Sequence, residues 1–496
     1  MRIINSFEQW SRWSSILGFG FLSLILALAA INSDIPDMAS SNIKYEEKID
    51  TPLLSARRIP ETIQADIASD FIAEDVNGFI SSSPESTCIA VVRDDKELIE
   101  GHNLNLGLVP ASNQKIITTY TALRILGPEH KFVTSVAAGS EIGPNGTVNS
   151  LYLIGGGDPF LATKEWWLQY EEIEGRSNTS LEKLADNVVD SGIKKINGGV
   201  IGDDSYFDDV RVGPWAQRLT EQNQAGPLSA LNVNEGYIEW GEIQNLSARI
   251  PSESPTLNAA QVFSDLLIDR GVQIEGVSSE GTTPEDAVKI TSISSPDLIE
   301  IVTHINSYSS NIGAELLLKE IAVQSGSIGS TDTGIDAVLN VLNAENLPID
   351  GVVLNDGSGL SEDNRLTCNL LIELLTSEGP DSLLASSFSI GGVRGSLEPK
   401  FQESSAQGRV FAKTGTLRGT IALSGYVESA IEDDIDITFA YISNEAAISG
   451  RTISLQEPLV IDFSQYPEGP KLAELLPEPT IDIININSLE SEEDKS

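Results

Sequence analysis

The 496-residue chain carries 73 acidic residues against 31 Lys plus Arg, a formal charge of -42 at pH 7, with 40% hydrophobic and 21% charged residues. The apolar content suffices for two or more domains with their own cores. So acidic a composition can hardly assemble the basic patches that neutralise nucleic-acid phosphates, and it is repelled by anionic membrane surfaces. High net charge keeps a protein soluble in salt and says little about chemistry.

Arg2 and Arg12 precede an uncharged run from Ile16 to Ala30, with Ala27-Leu28-Ala29 resembling a small-x-small cleavage site. Residues 1–31 therefore read as an export signal, with an N-terminal membrane anchor through residues 16–31 as the alternative. In both cases the body of the protein lies outside the cytoplasm. Residues 32–58 lack periodicity and read as a linker. Helical spacing begins at Ile63 and runs to Ile80. Cys88 to Val92 and Glu97 to Glu100 read as a strand hairpin turning at Asp94-Asp95. Pro110 then opens a helical run from Ala111 to Leu126, which places Ser112 at the positive end of a helix dipole and Lys115 on the same face.

From Phe132 to about Val288 the texture changes to short strand-like runs such as Leu151 to Ile154, glycine-rich turns such as Gly155 to Pro159, and a helix near Leu181 to Asp190. This stretch, taken as 133–288, reads as an inserted domain. Helices follow at Pro296 to His304 and Ile312 to Val323, then a turn rich in hydroxyls and glycine, Asp356-Gly357-Ser358-Gly359-Leu360-Ser361. Val410 to Thr416, Ala422 to Val427 and Ile437 to Ile442 read as adjacent strands. The fold class expected is α/β, or more strictly α+β: an antiparallel sheet flanked by helices, assembled from 59–132 and 289–466, with the insert between. Residues 467–496 form an acidic tail.

Three short motifs carry chemistry: Ser112-Asn113-Gln114-Lys115, Ser309-Ser310-Asn311, and Lys413-Thr414-Gly415 with Thr416. A serine acyl-transfer site needs a nucleophile with a base one turn away. It also needs a second hydroxyl and amide to hold proton and substrate, and a cation with strand amides for a carboxylate. Ser-x-x-Lys and Ser-x-Asn are common by themselves and Lys-Thr-Gly is rarer; the order of the three and their setting on helix, loop and strand are what is specific. The only histidines are His102, His130 and His304, none with a ligand-like partner at i+4, so a hydrolase here uses lysine rather than histidine as its base. Cys88 and Cys368, the only cysteines, exclude a disulfide framework and a thiolate zinc site, and leave a single bridge between them open.

The arrangement resembles the penicillin-recognising serine transferases. Within them it is most similar to the class C low-molecular-mass penicillin-binding proteins, the D-alanyl-D-alanine carboxypeptidase and endopeptidase family with the transpeptidase fold shared by β-lactamases. The similarity runs along most of residues 60–445 and includes Gly157 to Leu161, Gly202 to Phe207, Leu231 to Glu235 and Asp356 to Ser361. It implies that Ser112 attacks the carbonyl between two D-alanines of a peptidoglycan stem peptide and that water later frees the acyl chain. Lys115 takes the hydroxyl proton, its pKa lowered by burial and by Lys413; Ser309 relays a proton to the leaving amine. Asn311 orients Lys115 and the substrate amide, and Lys413, Thr414, Gly415 and Thr416 hold the terminal carboxylate. The amides of Ser112 and Thr416 form the oxyanion hole. Leu360, Glu362 and Asp158 belong to the substrate-binding set. No cofactor and no metal enter, and β-lactam antibiotics act as covalent inhibitors.

Three departures accompany the resemblance. The family loop usually reads Ser-Gly-Leu-Ser-Arg, whereas here the last position is Glu362; with Asp158 as ligand for the stem's side-chain ammonium, a side chain presenting an amine without a carboxylate is favoured, or discrimination is lost. Arg365 and Arg394 are the alternative cations. The family's further nested β-domain is absent here or reduced to a hairpin near 237–257, and the catalytic site is not expected to depend on it. The closing C-terminal helix is hard to recognise among Pro458, Pro467, Pro470 and Pro477. The competing readings are a catalytically impaired penicillin-binding or cell-wall scaffold of the same fold, and a β-lactamase, for which no acid stands in a suitable context to hold a deacylating water.

Overall fold

The computed structural model describes residues 60–93, 97–169, 177–241, 245–428, 436–445 and 450–467. The export segment, the linker, the Asp94-Asp95 turn and the acidic tail lie outside the described residues.

The catalytic region begins with helix α1 (Pro60–Ser82), then strands β1 (Thr87–Arg93) and β2 (Leu98–His102). A 3-10 turn over Ala111–Asn113 runs into helix α2 (Gln114–Ile125). After the insert come α3 (Leu298–Tyr308), α4 (Asn311–Gln324), α5 (Thr331–Ala344) and α6 (Cys368–Glu378). The short strand β3 (Ser389–Ile390) precedes β4 (Val410–Leu417), β5 (Thr420–Val427), β6 (Ile437–Asn444) and helix α7 (Gly450–Phe463). The six strands form one antiparallel sheet in the order β3-β4-β5-β6-β1-β2.

Side chains alternate across a strand, and β1 sends its two sets to two different cores. Cys88, Ala90 and Val92 pack with Ile116, Ile117 and Tyr120 of α2 and Leu371, Leu374 and Leu375 of α6. Ile89 and Val91 pack on the other face with Ala68, Ile72, Val76 and Phe79 of α1 and Leu459, Val460 and Phe463 of α7. Both faces being covered, β5 is buried along its whole length. Helix α7 forms although Pro458 stands inside it. An internal proline costs a helix about 3 kcal/mol, and three buried apolar side chains, each contributing roughly 1.5–3 kcal/mol, offset it. That is why the sequence hides this helix. Cys88 and Cys368 are joined, 280 residues apart in sequence, so a disulfide ties β1 to the start of α6 across the insert.

The insert forms a five-stranded sheet in which 133–138 and 288–294 pair antiparallel, so its last strand runs beyond the expected boundary at 288. Helices Leu181–Asp190 and Pro255–Asp269 cover it with Leu181, Leu184, Val188, Ala259, Phe263 and Leu267. Between them, Tyr237–Glu239 pairs with Ile250–Pro251 as a small hairpin. Asn223 is tied to that hairpin: its Nδ2 donates to the carbonyls of Leu246 (2.9 Å) and Arg249 (2.8 Å), and its own carbonyl accepts from the Tyr237 hydroxyl at 3.1 Å.

Candidate active site

Ser112 stands in the 3-10 turn that precedes α2, not inside a continuous helix from Ala111. The turn is entered with Ala111 at a φ of +48°, a left-handed conformation costly for a residue with a side chain and typical of functional sites. Neighbours hold it there. A Cβ at Gly415 would lie 2.8 Å from the Pro110 carbonyl oxygen, and one at Gly359, where φ is +83°, would lie 1.9 Å from that of Ala111. Glycine at both positions lets strand β4 and the 356–361 loop close on the turn from either side.

Lys115 is fully buried one turn on. Its Nζ lies 3.1 Å from Ser112 Oγ, 2.7 Å from Asn311 Oδ1 and 2.6 Å from the Ser358 carbonyl oxygen. Burial lowers its pKa to about 7, while the negative charges of Asp356 and Glu315 pull the other way. Burial is its largest lowering cause, and the repulsion between the two buried lysines is expressed at Lys413. Lys413 is itself held well below the lysine range, first by burial and then by the charge of Lys115.

The second motif forms the α3–α4 junction. Ser309 ends α3 with a φ of +60°, and Ser310 caps α4 by accepting from the Gly313 amide. Capping thus falls to Ser310 and leaves the Ser309 hydroxyl for Lys413, whose Nζ donates to it at 3.0 Å and to the Thr414 carbonyl at 3.0 Å. Asn311 Nδ2 donates to the carbonyl of Gln224 from the insert at 2.7 Å. This contact fixes which way the amide faces, leaves one amide hydrogen for a substrate carbonyl, and joins the site to the 237–257 hairpin through Asn223. The site, expected to be independent of this region, is thus linked to it by a chain of hydrogen bonds.

The third motif lies on β4. Thr414 Oγ1 and Ser396 Oγ are 2.7 Å apart, and Ser396 Oγ and Ser389 Oγ 2.9 Å, a hydroxyl chain running off β4. Thr416 is exposed at the end of β4, close to the Ser112 turn through the Gly415 approach. Leu360 is buried.

Glu362 and Asp158 are placed otherwise than expected. Glu362 forms an ion pair with Arg218 of the insert. A cavity of about 530 Å³ opens there, lined by Val109, Arg218, Glu362, Arg418, Thr420 and Glu445 among others. Asp158 is 1% exposed, and its Oδ1 accepts from the Phe160 amide at 2.8 Å. Burial raises its pKa to about 6, against hydrogen bonds from Thr179 and Phe160. Its carboxyl closes a turn of the insert and offers no surface to a stem ammonium. Arg394 donates to the Ser386 and Phe388 carbonyls and Arg365 to those of Glu362 and Asn364, so neither replaces the loop's arginine.

The sequence reading missed Glu315, Asp356 as a charge, Ser396 and Arg218. Glu315 was legible as an acid at i+4 from Asn311 inside an apolar helical run; Arg218 and Ser396 come from segments with no signal of their own.

A nucleophile, a buried lysine within reach of it, an amide touching that lysine and a second lysine on a hydroxyl make an acyl-transfer centre. Comparison with known proteins agrees. A family described as D-Ala-D-Ala carboxypeptidase 3 (S13) matches residues 72–247 and 241–457, more than half of the chain. The chain belongs to this family. Membership makes it a serine-type D-Ala-D-Ala carboxypeptidase, with the penicillin-binding-protein fold. A D-alanyl-D-alanine carboxypeptidase of Actinomadura sp. is 27% identical over 445 residues, covering 74% of this chain and 79% of the relative. A carboxypeptidase of Mycobacterium tuberculosis is 27% identical over 421 residues, covering 79% and 86%. Penicillin binding protein 4 from Haemophilus influenzae shares the fold at a TM-score of 0.66 and 20% identity, over 79% of this chain and 99% of that one.

Proposed function

We propose that this family member cleaves the terminal D-alanyl bond of peptidoglycan stem peptides, as a carboxypeptidase or on a cross-link as an endopeptidase, through an acyl-enzyme on Ser112. The observation that carries this is the 3.1 Å contact between Lys115 Nζ and Ser112 Oγ, with Asn311 on the same nitrogen. Neutral Lys115 takes the Oγ proton as the Oγ–C bond forms and the carbonyl pair moves onto oxygen. Ser309 carries a proton to the leaving amine as the C–N bond breaks. Lys413 faces the substrate's terminal carboxylate, beside Thr414 and Thr416. The amides of Ser112 and Thr416 face the oxyanion, each contributing on the order of 3 kcal/mol. Water then enters and releases the acyl chain.

Labelling by a fluorescent penicillin tests the reading: wild type gives a covalent band on a denaturing gel and Ser112→Ala gives none. No band from folded wild type would instead support the impaired scaffold. Covalent modification by β-lactams follows from the same chemistry, and the Haemophilus influenzae protein has been solved complexed with a β-lactam.

For the stem's side chain the reading is a pocket of mixed charge. Arg218 supplies the cation that Glu362 removes from the loop, and Arg418 and Glu445 line the same cavity. With Asp158 withdrawn, an amine and an amine with a carboxylate are both matched, so kcat/KM for lysine-type and diaminopimelate-type peptides should agree within about tenfold, a difference of about 1.4 kcal/mol. A larger preference for either sinks this reading. The substrate lies outside the cytoplasm, and the buried Cys88–Cys368 bridge suits an oxidising compartment. Export by residues 1–31, as a cleaved signal or an anchor, is proposed from the sequence.

A further inference from the structure

Beneath Lys115 lie two buried carboxyl groups, Glu315 and Asp356. Asp356 organises its own loop: Oδ1 accepts from the Gly359 amide at 2.8 Å and Asn364 Nδ2 at 2.7 Å, and Oδ2 from the Ser361 amide at 2.6 Å. Thr118 of α2 pins the same loop by donating to the Gly357 carbonyl at 2.7 Å. Glu315 is different. It projects from α4 one turn after Asn311, and its Oε1 accepts from the amides of Gly357 at 3.1 Å and Ser358 at 2.8 Å. The carbonyl of that same Ser358 receives Lys115 Nζ at 2.6 Å. A buried carboxylate carries a desolvation cost of several kcal/mol, and the loop already has two other anchors. What Glu315 adds is the aim of one carbonyl and a charge close to the base.

We propose that Glu315 is a positioning residue for acylation, clamping the Gly357–Ser358 peptide so that the Ser358 carbonyl is aimed at Lys115 and keeping a negative charge beside that lysine. The proposal rests on Lys115 being the base that takes the Ser112 proton. The charged groups facing Lys115 are Glu315 from α4, Asp356 from the loop and Lys413 from β4; Ser112, Ser309 and Asn311 are neutral. The Glu315 carboxyl is itself raised to about 7 by burial and by the Asp356 charge, against hydrogen bonds from Ser358 and Gly357, so the two buried carboxyls titrate together and share the negative charge beside Lys115. Negative charge here favours the protonated lysine. Without it the amine loses its proton at lower pH and is a weaker base once neutral.

The test measures the rate of acylation by a fluorescent penicillin against pH for wild type, Glu315→Gln and Glu315→Ala, with melting temperatures as controls on folding. Glutamine keeps an acceptor for both amides and removes the charge. Its acid limb should move to lower pH by about one unit, as expected when a nearby opposite charge is removed, and its plateau rate should fall several-fold. Alanine removes the clamp as well, and folded Glu315→Ala should acylate at least about tenfold more slowly at every pH, for which Glu315→Gln recovers most of the loss. A Glu315→Gln limb that coincides with that of wild type would overturn the proposal, whether or not the alanine variant folds. Absence of labelling from wild type would strike the reading of the site itself, a separate outcome.

Discussion

The floor of the site and its mouth are built in opposite ways. On the floor, Lys115, Lys413, Asn311, Glu315 and the 356–361 loop come from four elements, and most of their polar atoms are engaged by one another inside the protein. At the mouth, Arg218 and Glu362 meet across a partly exposed gap between the insert and the loop. Buried groups of this kind tolerate no substitution that leaves a partner unsatisfied, whereas an exposed pair contributes little and can be rearranged. The buried layer is therefore the less tolerant of change, and the insert touches both, through Arg218 above and through the Gln224 carbonyl on Asn311 below.

Breaking the floor should have the largest effect. Lys115→Met removes the proton acceptor and should lower acylation by about 10²–10⁴-fold, the range for a positioned general base, read from the rate of penicillin labelling. A variant within threefold of wild type would mean that another group takes the Ser112 proton. The same lysine gives a pH dependence. Its pKa is lowered to about 7, and it acts only when neutral, so the rate should be level above that pH and fall by about tenfold per unit below it. A limb near the ordinary lysine value of about 10.4 would show that burial does not act as the structure implies.

The scaffold that carries the floor comes next in size. The disulfide joins the two chain segments that flank the insert, closing a long loop, and Cys88→Ser with Cys368→Ser should lower the unfolding free energy by about 2–5 kcal/mol. Chemical denaturation under non-reducing conditions measures this; an unchanged midpoint would mean that the two buried cores hold the segments together unaided. Asn223→Ala, which frees the Gln224 strap from the hairpin, should lower acylation severalfold by loosening Asn311, while Ser112 remains labelled on longer exposure. Equal rates would restore the site's independence of the 237–257 segment.

How much of this was legible in the sequence follows the same division. The sheet, α2, α4 and the three motifs are local patterns: apolar periodicity, a proline before a helix, a lysine one turn from a serine. Their mutual approach depends on Gly359 and Gly415, whose necessity shows only when two backbones meet. Helix α7 was hidden because Pro458 contradicts helical propensity and only tertiary packing overrides it. Asp158 misled because a motif position does not reveal whether its carboxyl faces a ligand or its own turn. Glu362 is more instructive, for its ion pair is made with Arg218 from a segment 144 residues away in sequence, which no local pattern encodes.

The smallest expected effect is at that pair, and it discriminates most finely between a rigid and an adjustable mouth. Both side chains are partly exposed, 31% and 45%, so water screens them. A double-mutant cycle of Arg218→Ala and Glu362→Ala should give a stability coupling of about 0.2–1 kcal/mol. On kinetics the two single changes should act in opposite directions. Arg218→Ala leaves Glu362 unopposed and should raise kcat/KM for a stem ending in an amine over one that also bears a carboxylate, while Glu362→Ala leaves the cation and should do the reverse. The effect belongs in KM, because the pair touches none of the groups that move protons. If both changes instead lower kcat and leave KM alone, the mouth is coupled to the floor through the 217–224 strap, and the contrast between a fixed floor and an adjustable mouth fails.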